Sequence, residues 1–584
     1  MHNKQIAAAL LELADLLEIS GENAFKVNAY RRASRTVENC RFPIAKQLDR
    51  LEELPGIGKG TAGVIEELVA AGSIGMLEEL KSTLPPGLPE LLKLPGLGPR
   101  SVHTLYKELD IKNMDELKEA AEKQKIRSLP GFGPKKEQKI LEAIAQVQNR
   151  PERRLLHEAL FVASHLAEQL KDEEEVLQME LAGSLRRRKE TIKDIDFVIA
   201  TVSPVELGRK IVRLPVVTEI IGQGETKVSV RVNVEGIEMG ADFRLVTPAQ
   251  FASALHHFTG SKEHNVRIRQ RAKKYGLKVS EYGIFNSETD ETMTFADERE
   301  FFAALDLPWI APELREDRGE MERAEQDNLP GLIRPEEIRG DLHMHTLYSD
   351  GADSIKNMAL AAKARGYEYI AITDHSVSLK VAGGLSVEEL MEQWAEIERI
   401  NAELEGIVIL KGVEMDILPD GRLDYPDEIL ARMDFVIASI HSRFNQDEEA
   451  MTKRIIQAME NPYVNMIAHP TGRLLLRRDP YSVDVDRIFQ AAKETGTILE
   501  LNSNPHRLDL NDELIKKAKE EYGLTFAINT DAHSTAELGN IAYGVATARR
   551  GWLEPKDVLN TLPLHELLQR LKQKTGKSKA ENGK

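Results

Sequence analysis

From Arg339 to Thr530 short apolar runs alternate with helical stretches, and the runs end on histidines and acids. The predicted strands are Arg339 to His343, Tyr369 to Thr373, Ile407 to Val413, Phe435 to Ile440, Val464 to Ala468, Ile498 to Leu501 and Thr525 to Thr530. Strands that alternate with helices form parallel βα units, and seven of them suggest a barrel. In such barrels the chemistry gathers at the C-terminal ends of the strands. Metal-type ligands fall there in order: His343 and His345 with Asp350 beyond, then Asp374-His375, Glu414, His441, His469 before Pro470, and Asp531 with His533. Alternation along a strand puts His343 and His345 on one face, and likewise Asp531 and His533. One histidine alone is more often a local hydrogen-bonding residue, but six of them at successive strand ends point to a metal centre. Mixed imidazole and carboxylate donors suit zinc, manganese or iron better than calcium. The set could hold up to three ions, enough to clamp a phosphate and activate a water. Asp374 is open between joining the ligands and orienting His375.

The first 150 residues read as amphipathic helices interrupted by three copies of Leu-Pro-Gly-x-Gly, at Leu54, Leu94 and Leu129. One such turn means little. Three copies between helices suggest hairpins whose exposed amides, with a helix dipole behind them, hold DNA phosphates without reading sequence. The residues concerned are Gly56 and Gly58, Gly96 and Gly98, and Gly131 and Gly133; Lys59, Arg100, Lys135 and Lys136 follow with added charge. The net charge of −17 opposes nucleic-acid binding. Local basic clusters weaken that objection, although any one alone reads as a solvated helix face and composition alone decides nothing: Arg31, Arg32 and Arg35; Arg186 to Lys189; and Lys262 through Lys274.

From about residue 176 β-rich runs replace helices: Met179 to Ala182, Ile195 to Ala200, Lys227 to Val234 and Gly240 to Val246. Asp194 and Asp196 share one strand face, and Asp242 on another strand is a third carboxylate for it. Three converging carboxylates repel unless divalent cations lie among them, and a pair of magnesium ions would suit. Gly183 and Ser184, ahead of Arg186 and Arg187, could offer amides and guanidinium groups to phosphates. The one cysteine, Cys40, forms no internal disulfide, which suits a reducing cytosol, and no apolar run approaches a membrane span. We therefore expect a cytoplasmic monomer without membrane contact.

The stretch from Gly183-Ser184 to Asp196, followed by Phe258-Thr259-Gly260-Ser261, resembles the X-family DNA polymerases over about residues 1 to 312. The histidine and acid series resembles the polymerase and histidinol phosphatase (PHP) family over roughly 338 to 550. These resemblances imply a multidomain α/β chain: helix–hairpin–helix N-terminal domains, a nucleotidyltransferase palm with a mixed or antiparallel sheet, and a C-terminal (β/α)7 PHP barrel. The expected boundaries are 1–85 and 86–150 for the helical DNA-binding and fingers-type domains, 151–250 for the palm, and 251–312 for a thumb-type domain. A charged linker at 313–337, the PHP domain at 338–572 and a disordered basic tail at 573–584 would follow. The polymerase resemblance implies that Asp194, Asp196 and Asp242 bind catalytic magnesium. It implies that Gly183, Ser184 and Arg187 meet the triphosphate, and that His257, Phe258 and Gly260 border the sugar. Asn265 and Arg269 would lie near the nascent base pair and template. The PHP resemblance implies that His343, His345, Asp350, His375, Glu414, His441, His469, Asp531 and His533 hold manganese or zinc.

The implied function is filling of short gaps in base excision repair, with gapped or primer–template DNA and deoxynucleoside triphosphates as substrates. The barrel would add a manganese-dependent 3′-5′ exonuclease, with a 3′-end phosphatase or phosphodiesterase, or an AP endonuclease, as the alternative. A DNA-binding module with a silent palm and a small-molecule phosphatase are the competing classes. Two departures stand out. His257 replaces the tyrosine usual before Phe-Thr-Gly-Ser, which bears on sugar discrimination. Val64 falls where the family's lyase lysine is expected, and valine forms no imine; Lys59 lies nearby, and no efficient lyase activity is expected.

Overall fold

The computed structural model describes residues 3–575 apart from 39, 41–43, 47, 55, 93, 95 and 150–152. The chain divides into two compact units, Met1–Glu152 and Arg153–Lys584. Among the described residues no single helix is long and apolar enough to cross a membrane.

Among its described residues, the regular structure of the first unit is all helical. In its first helix, Asn3–Ser20, the buried positions Ile6, Leu10, Leu13 and Leu17 recur at helical spacing and join one apolar core. The three hairpins each open a helix: Lys59–Ala71, Pro99–Leu109 and Pro134–Asn149. Gly56, Gly96 and Gly131 lie at φ +87°, +83° and +81°, a region that L side chains avoid. Between the glycines, Ile57 and Leu97 are buried and anchor their hairpins to the core. Val64 is buried in that core, whereas Lys59 is exposed.

After helix Leu156–Leu170 the second unit builds a five-stranded sheet: β1 Gln178–Leu181, β2 Asp194–Ala200, β3 Val217–Gln223, β4 Lys227–Val234 and β5 Ile237–Val246. Their order is β1-β2-β5-β4-β3, and only the central β2–β5 pair is parallel. The edge strand β3 escapes sequence reading because it is exposed along nearly its whole length and places Ile220 beside Ile221 instead of alternating. Helices Phe251–Thr259 and Lys262–Lys274 follow, then a meander of β6 Leu277–Ser280, β7 Gly283–Asn286 and β8 Glu291–Met293.

Residues 313–337, expected as a charged linker, are folded into the unit. Helix Glu320–Glu325 lies within them, and Arg315 and Glu320 are fully buried. Charge there marks internal pairing: Arg315 donates to both oxygens of Glu298, and Glu320 meets His264 Nδ1 at 2.8 Å.

The barrel strands are β9 Gly340–Asp341, β10 Tyr369–Ile372, β11 Val408–Asp416, β12 Phe435–Ser439, β13 Met466–Ile467, β14 Ile498–Asn502 and β15 Phe526–Asn529. They pair in chain order, all parallel, and a parallel bridge between Met344 and Ala532 draws the ends together. Helix Leu564–Thr575 carries through the first three residues of the expected tail; the rest of that tail lies outside the described residues.

Candidate active sites

On the palm, the register sets Asp196 directly across from Asp242. Beneath them Phe197 and Phe243 stack at 5.2 Å in the core, so the alternation that buries the rings lifts the carboxylates to the other face. Two glycines make room for the acids. A Cβ on Gly183, at φ +58°, would stand 2.0 Å from Asp196 Oδ2, and one on Gly240 would stand 2.5 Å from Asp194 Oδ1. Burial first, then Asp242 and Asp194, push the Asp196 carboxyl up to about 6. Lys227 Nζ approaches Asp242 at 2.6 Å and Lys193 Nζ approaches Asp194 at 3.4 Å. Such a crowded set of acids, one of them resisting ionisation, fits divalent cations.

Around it, Ser184 lies in the short helix Gly183–Arg186. Arg187 donates to the Thr259 carbonyl at 2.5 Å and to Glu316 at 3.0 Å. Gly260 packs beside it, and a Cβ there would stand 3.2 Å from Arg187 Nη1. Asn265 Nδ2 donates to the His257 carbonyl at 2.8 Å, and Phe258 lies under the Arg244 guanidinium at 4.4 Å. Arg269 is exposed on its helix.

At the barrel's C-terminal end all nine expected residues converge. Glu414 is the hub: its Oε1 lies 3.0 Å from His469 Nε2 and 3.3 Å from His441 Nε2. Its Oε2 lies 2.9 Å from His375 Nδ1 and 3.6 Å from the Nε2 atoms of both His343 and His345. Asp531 Oδ1 stands 3.2 Å from His345 Nε2, and Asp350 Oδ1 stands 3.2 Å from His533 Nε2. Three overlapping groups have donor atoms within 4.8 Å of one another: His345, Asp350, His375 and His533; His343, His345 and Glu414; and His375, Glu414 and His441. The buried Nδ1 of His345 has no hydrogen-bond partner, and burial together with His375 and His533 pushes this imidazole down to about 3. It is therefore a neutral donor with a free nitrogen, which fits a bound cation. His469 and Asp531 sit at φ +28° and +55°, unusual for residues with side chains and frequent where function holds a backbone in place.

Three acids complete the site that sequence reasoning missed or left open. Glu500 accepts from His343 Nδ1 at 2.7 Å and from the His469 amide at 2.7 Å. Asp416 accepts from His441 Nδ1 at 3.0 Å. Both hold an imidazole by one nitrogen and turn the other toward Glu414. Their signal was weak: Asp416 lies two residues past Glu414 on the same strand face, and Glu500 is an acid inside an apolar strand. Asp374 stands outside the three groups. It accepts from Thr346 N and Oγ1, Ser349 Oγ and Gln393 Nε2, and so pins the turn after the first barrel strand.

Fold and sites together define a polymerase-type nucleotidyltransferase joined to a metal-using phosphoesterase barrel. Family models agree in each part: a helix-hairpin-helix domain at 1–74, a SAM-like helix-hairpin-helix tandem at 88–146, a DNA polymerase beta thumb at 254–316 and a PHP domain at 341–504. Among relatives, the DNA polymerase/3'-5' exonuclease PolX of Bacillus subtilis (strain 168) is 49% identical over 567 residues, 97% of this chain and 99% of its own. The chain belongs to the PolX family, X-family DNA polymerases that carry a PHP domain. A probable phosphatase of Thermoanaerobacter sp. (strain X514) is 33% identical over 248 residues, 40% of this chain and 96% of its own. Another, of Caldanaerobacter subterraneus subsp. tengcongensis, is 32% identical over 231 residues, 38% of this chain and 86% of its own.

Proposed function

We infer that this chain is a DNA polymerase with a 3′-5′ exonuclease in its PHP barrel, filling short gaps during base excision repair. The observation that carries the reading is the presence of two separate acid-centred sites on one chain of this family, a three-carboxylate palm and a nine-residue barrel cluster. Asp194, Asp196 and Asp242 would hold magnesium, and the nine barrel residues manganese or zinc, supplying Lewis-acid stabilisation of charge on phosphate oxygens. The chain's own groups do the rest. Ser184 and Arg187 bind the triphosphate, Gly183 lets that loop lie against Asp196, and His257, Phe258 and Gly260 wall the sugar. Asn265 and Arg269 face the base pair and template. In the barrel, Glu500 and Asp416 accept hydrogen bonds from Nδ1 of His343 and His441 and keep both rings oriented. The paired hairpin glycines grip DNA backbone.

The test uses a 5′-labelled primer in a gapped duplex with manganese, with and without deoxynucleotides. Extension lost only in Asp194→Ala/Asp196→Ala and a shortening ladder lost only in His343→Ala/His345→Ala is the expected result. Loss of both reactions in either variant would refute two independent sites. A second reading, in which the barrel removes 3′ phosphates or cuts at abasic sites, draws on the probable phosphatases among its relatives. Release of inorganic phosphate from a 3′-phosphorylated primer, without shortening, would favour it.

A further inference from the structure

We propose that Arg550, the last residue of the barrel helix Ile541–Arg550, is a positioning residue of the polymerase site. Through Glu316 it governs how freely Arg187 meets an incoming triphosphate. This rests on the reading of Arg187 as a phosphate contact. The Arg187 guanidinium is engaged within the protein, because its Nε donates to Glu316 Oε1 at 3.0 Å. A triphosphate must therefore compete with that carboxylate for the guanidinium. Arg550 reaches the same oxygen: its Nη1 donates to Glu316 Oε1 at 2.9 Å and to the Arg187 carbonyl at 2.7 Å. Its Nη2 donates to Asp512 at 2.6 Å, which also receives Arg318 at 2.9 Å, so Arg550 is fixed from the barrel side. Arg550 is 2% exposed, and pairs this well desolvated act on one another strongly. One carboxylate oxygen shared by two guanidiniums holds each less tightly than it would hold one alone. Arg550 thus dilutes the grip of Glu316 on Arg187 and fixes the Arg187 backbone. It does so from a domain whose own chemistry lies elsewhere, at the histidine cluster.

The arrangement also gives the folded segment 313–337 a role. Arg315 locks against Glu298, which in turn holds Arg186, and the next residue, Glu316, bridges Arg187 to the barrel.

Steady-state gap filling by the full-length protein, with the deoxynucleotide varied, tests the proposal, and 3′ shortening is followed in parallel. Arg550→Ala should raise the nucleotide KM about tenfold, the scale of one hydrogen bond to a charged group, with kcat and shortening within about twofold of the parent. Adding Glu316→Gln to Arg550→Ala removes the competing charge and should return KM most of the way. A purely structural role would give no such recovery. An unchanged KM in Arg550→Ala, no recovery in the double variant, or a parallel fall of extension and shortening would each overturn the proposal. Arg187→Ala with a parental KM would instead remove the reading of Arg187 on which it stands.

Discussion

At Glu298 two guanidiniums converge on one carboxylate: Arg186 donates to its oxygens at 2.9 and 2.8 Å, and Arg315 at 2.7 and 3.1 Å. Burial raises this carboxyl, but Arg315 and Arg186 outweigh it and hold Glu298 well below the usual carboxylate range. The folded state therefore resists a proton that the unfolded chain accepts near pH ~4.5. Stability from this group is complete above that pH and is lost as pH falls below it, because the unfolded state then binds more protons. Glu298→Gln should cost about 3–5 kcal/mol at pH 7, as expected when one partner of a buried charge cluster is removed. Its urea midpoint should also fall less steeply than the parent's between pH ~5 and ~3, the window below the unfolded carboxyl. Equal slopes for the two proteins would show that Glu298 is not linked to protons. Single residues were legible in the sequence where a backbone rule placed them. The nine barrel residues follow strand ends, and Asp194 and Asp196 follow strand alternation. Glu298 and Glu500 look like any other acid until the fold brings arginines or histidines to them.

The hairpins separate two uses of glycine within one element. Gly56, Gly96 and Gly131 need their left-handed φ, so alanine there costs stability, roughly 1–2 kcal/mol for a side chain forced into that region. Gly58 and Gly98 have ordinary extended backbones, and a Cβ on either would meet nothing within 4 Å. Alanine at the second glycine should leave the melting temperature unchanged and still weaken binding of a gapped duplex, because on the proposed reading the methyl group would stand where a phosphate approaches the amides. Alanine at the first glycine should lower both. Fluorescence anisotropy at two salt concentrations, beside thermal melts, checks this; parental affinity in Gly58→Ala/Gly98→Ala would remove phosphate binding from the hairpins. The repeats and the barrel strands were legible because turn chemistry and apolar runs are local signals. Strand β3 and the segment 313–337 were not. The one is an exposed edge without alternation, and the charges that anchor the other, Arg315, Glu316 and Glu320, are internal pairs, indistinguishable in sequence from solvated ones.

Across the second unit, buried or half-buried ion pairs join the barrel to the palm and to the folded segment 313–337. Arg473 donates to both oxygens of Glu190, Arg550 to Glu316, and Arg549 to Glu313. Separating the domains would leave several of these charges without partners, an expensive state. A protein comprising residues 153–584 should therefore unfold in a single calorimetric transition although it holds palm, thumb and barrel. Two resolved transitions would mean that the domains melt independently and that the pairs are incidental.

By itself, the sequence determined the helical hairpin unit, the succession of barrel strands and the identity of the metal-type donors, since each of these is written in spacings of a few residues. Only the tertiary structure decided which acids hold which imidazoles, that an apparent linker is folded in by buried charge pairs, and that the Arg187 carbonyl meets a residue 363 positions away. The physical reason is range. Periodicity and turn preference act through the adjacent backbone, whereas a buried charge takes its partner from whatever packing brings within about 3 Å, the reach of a hydrogen bond.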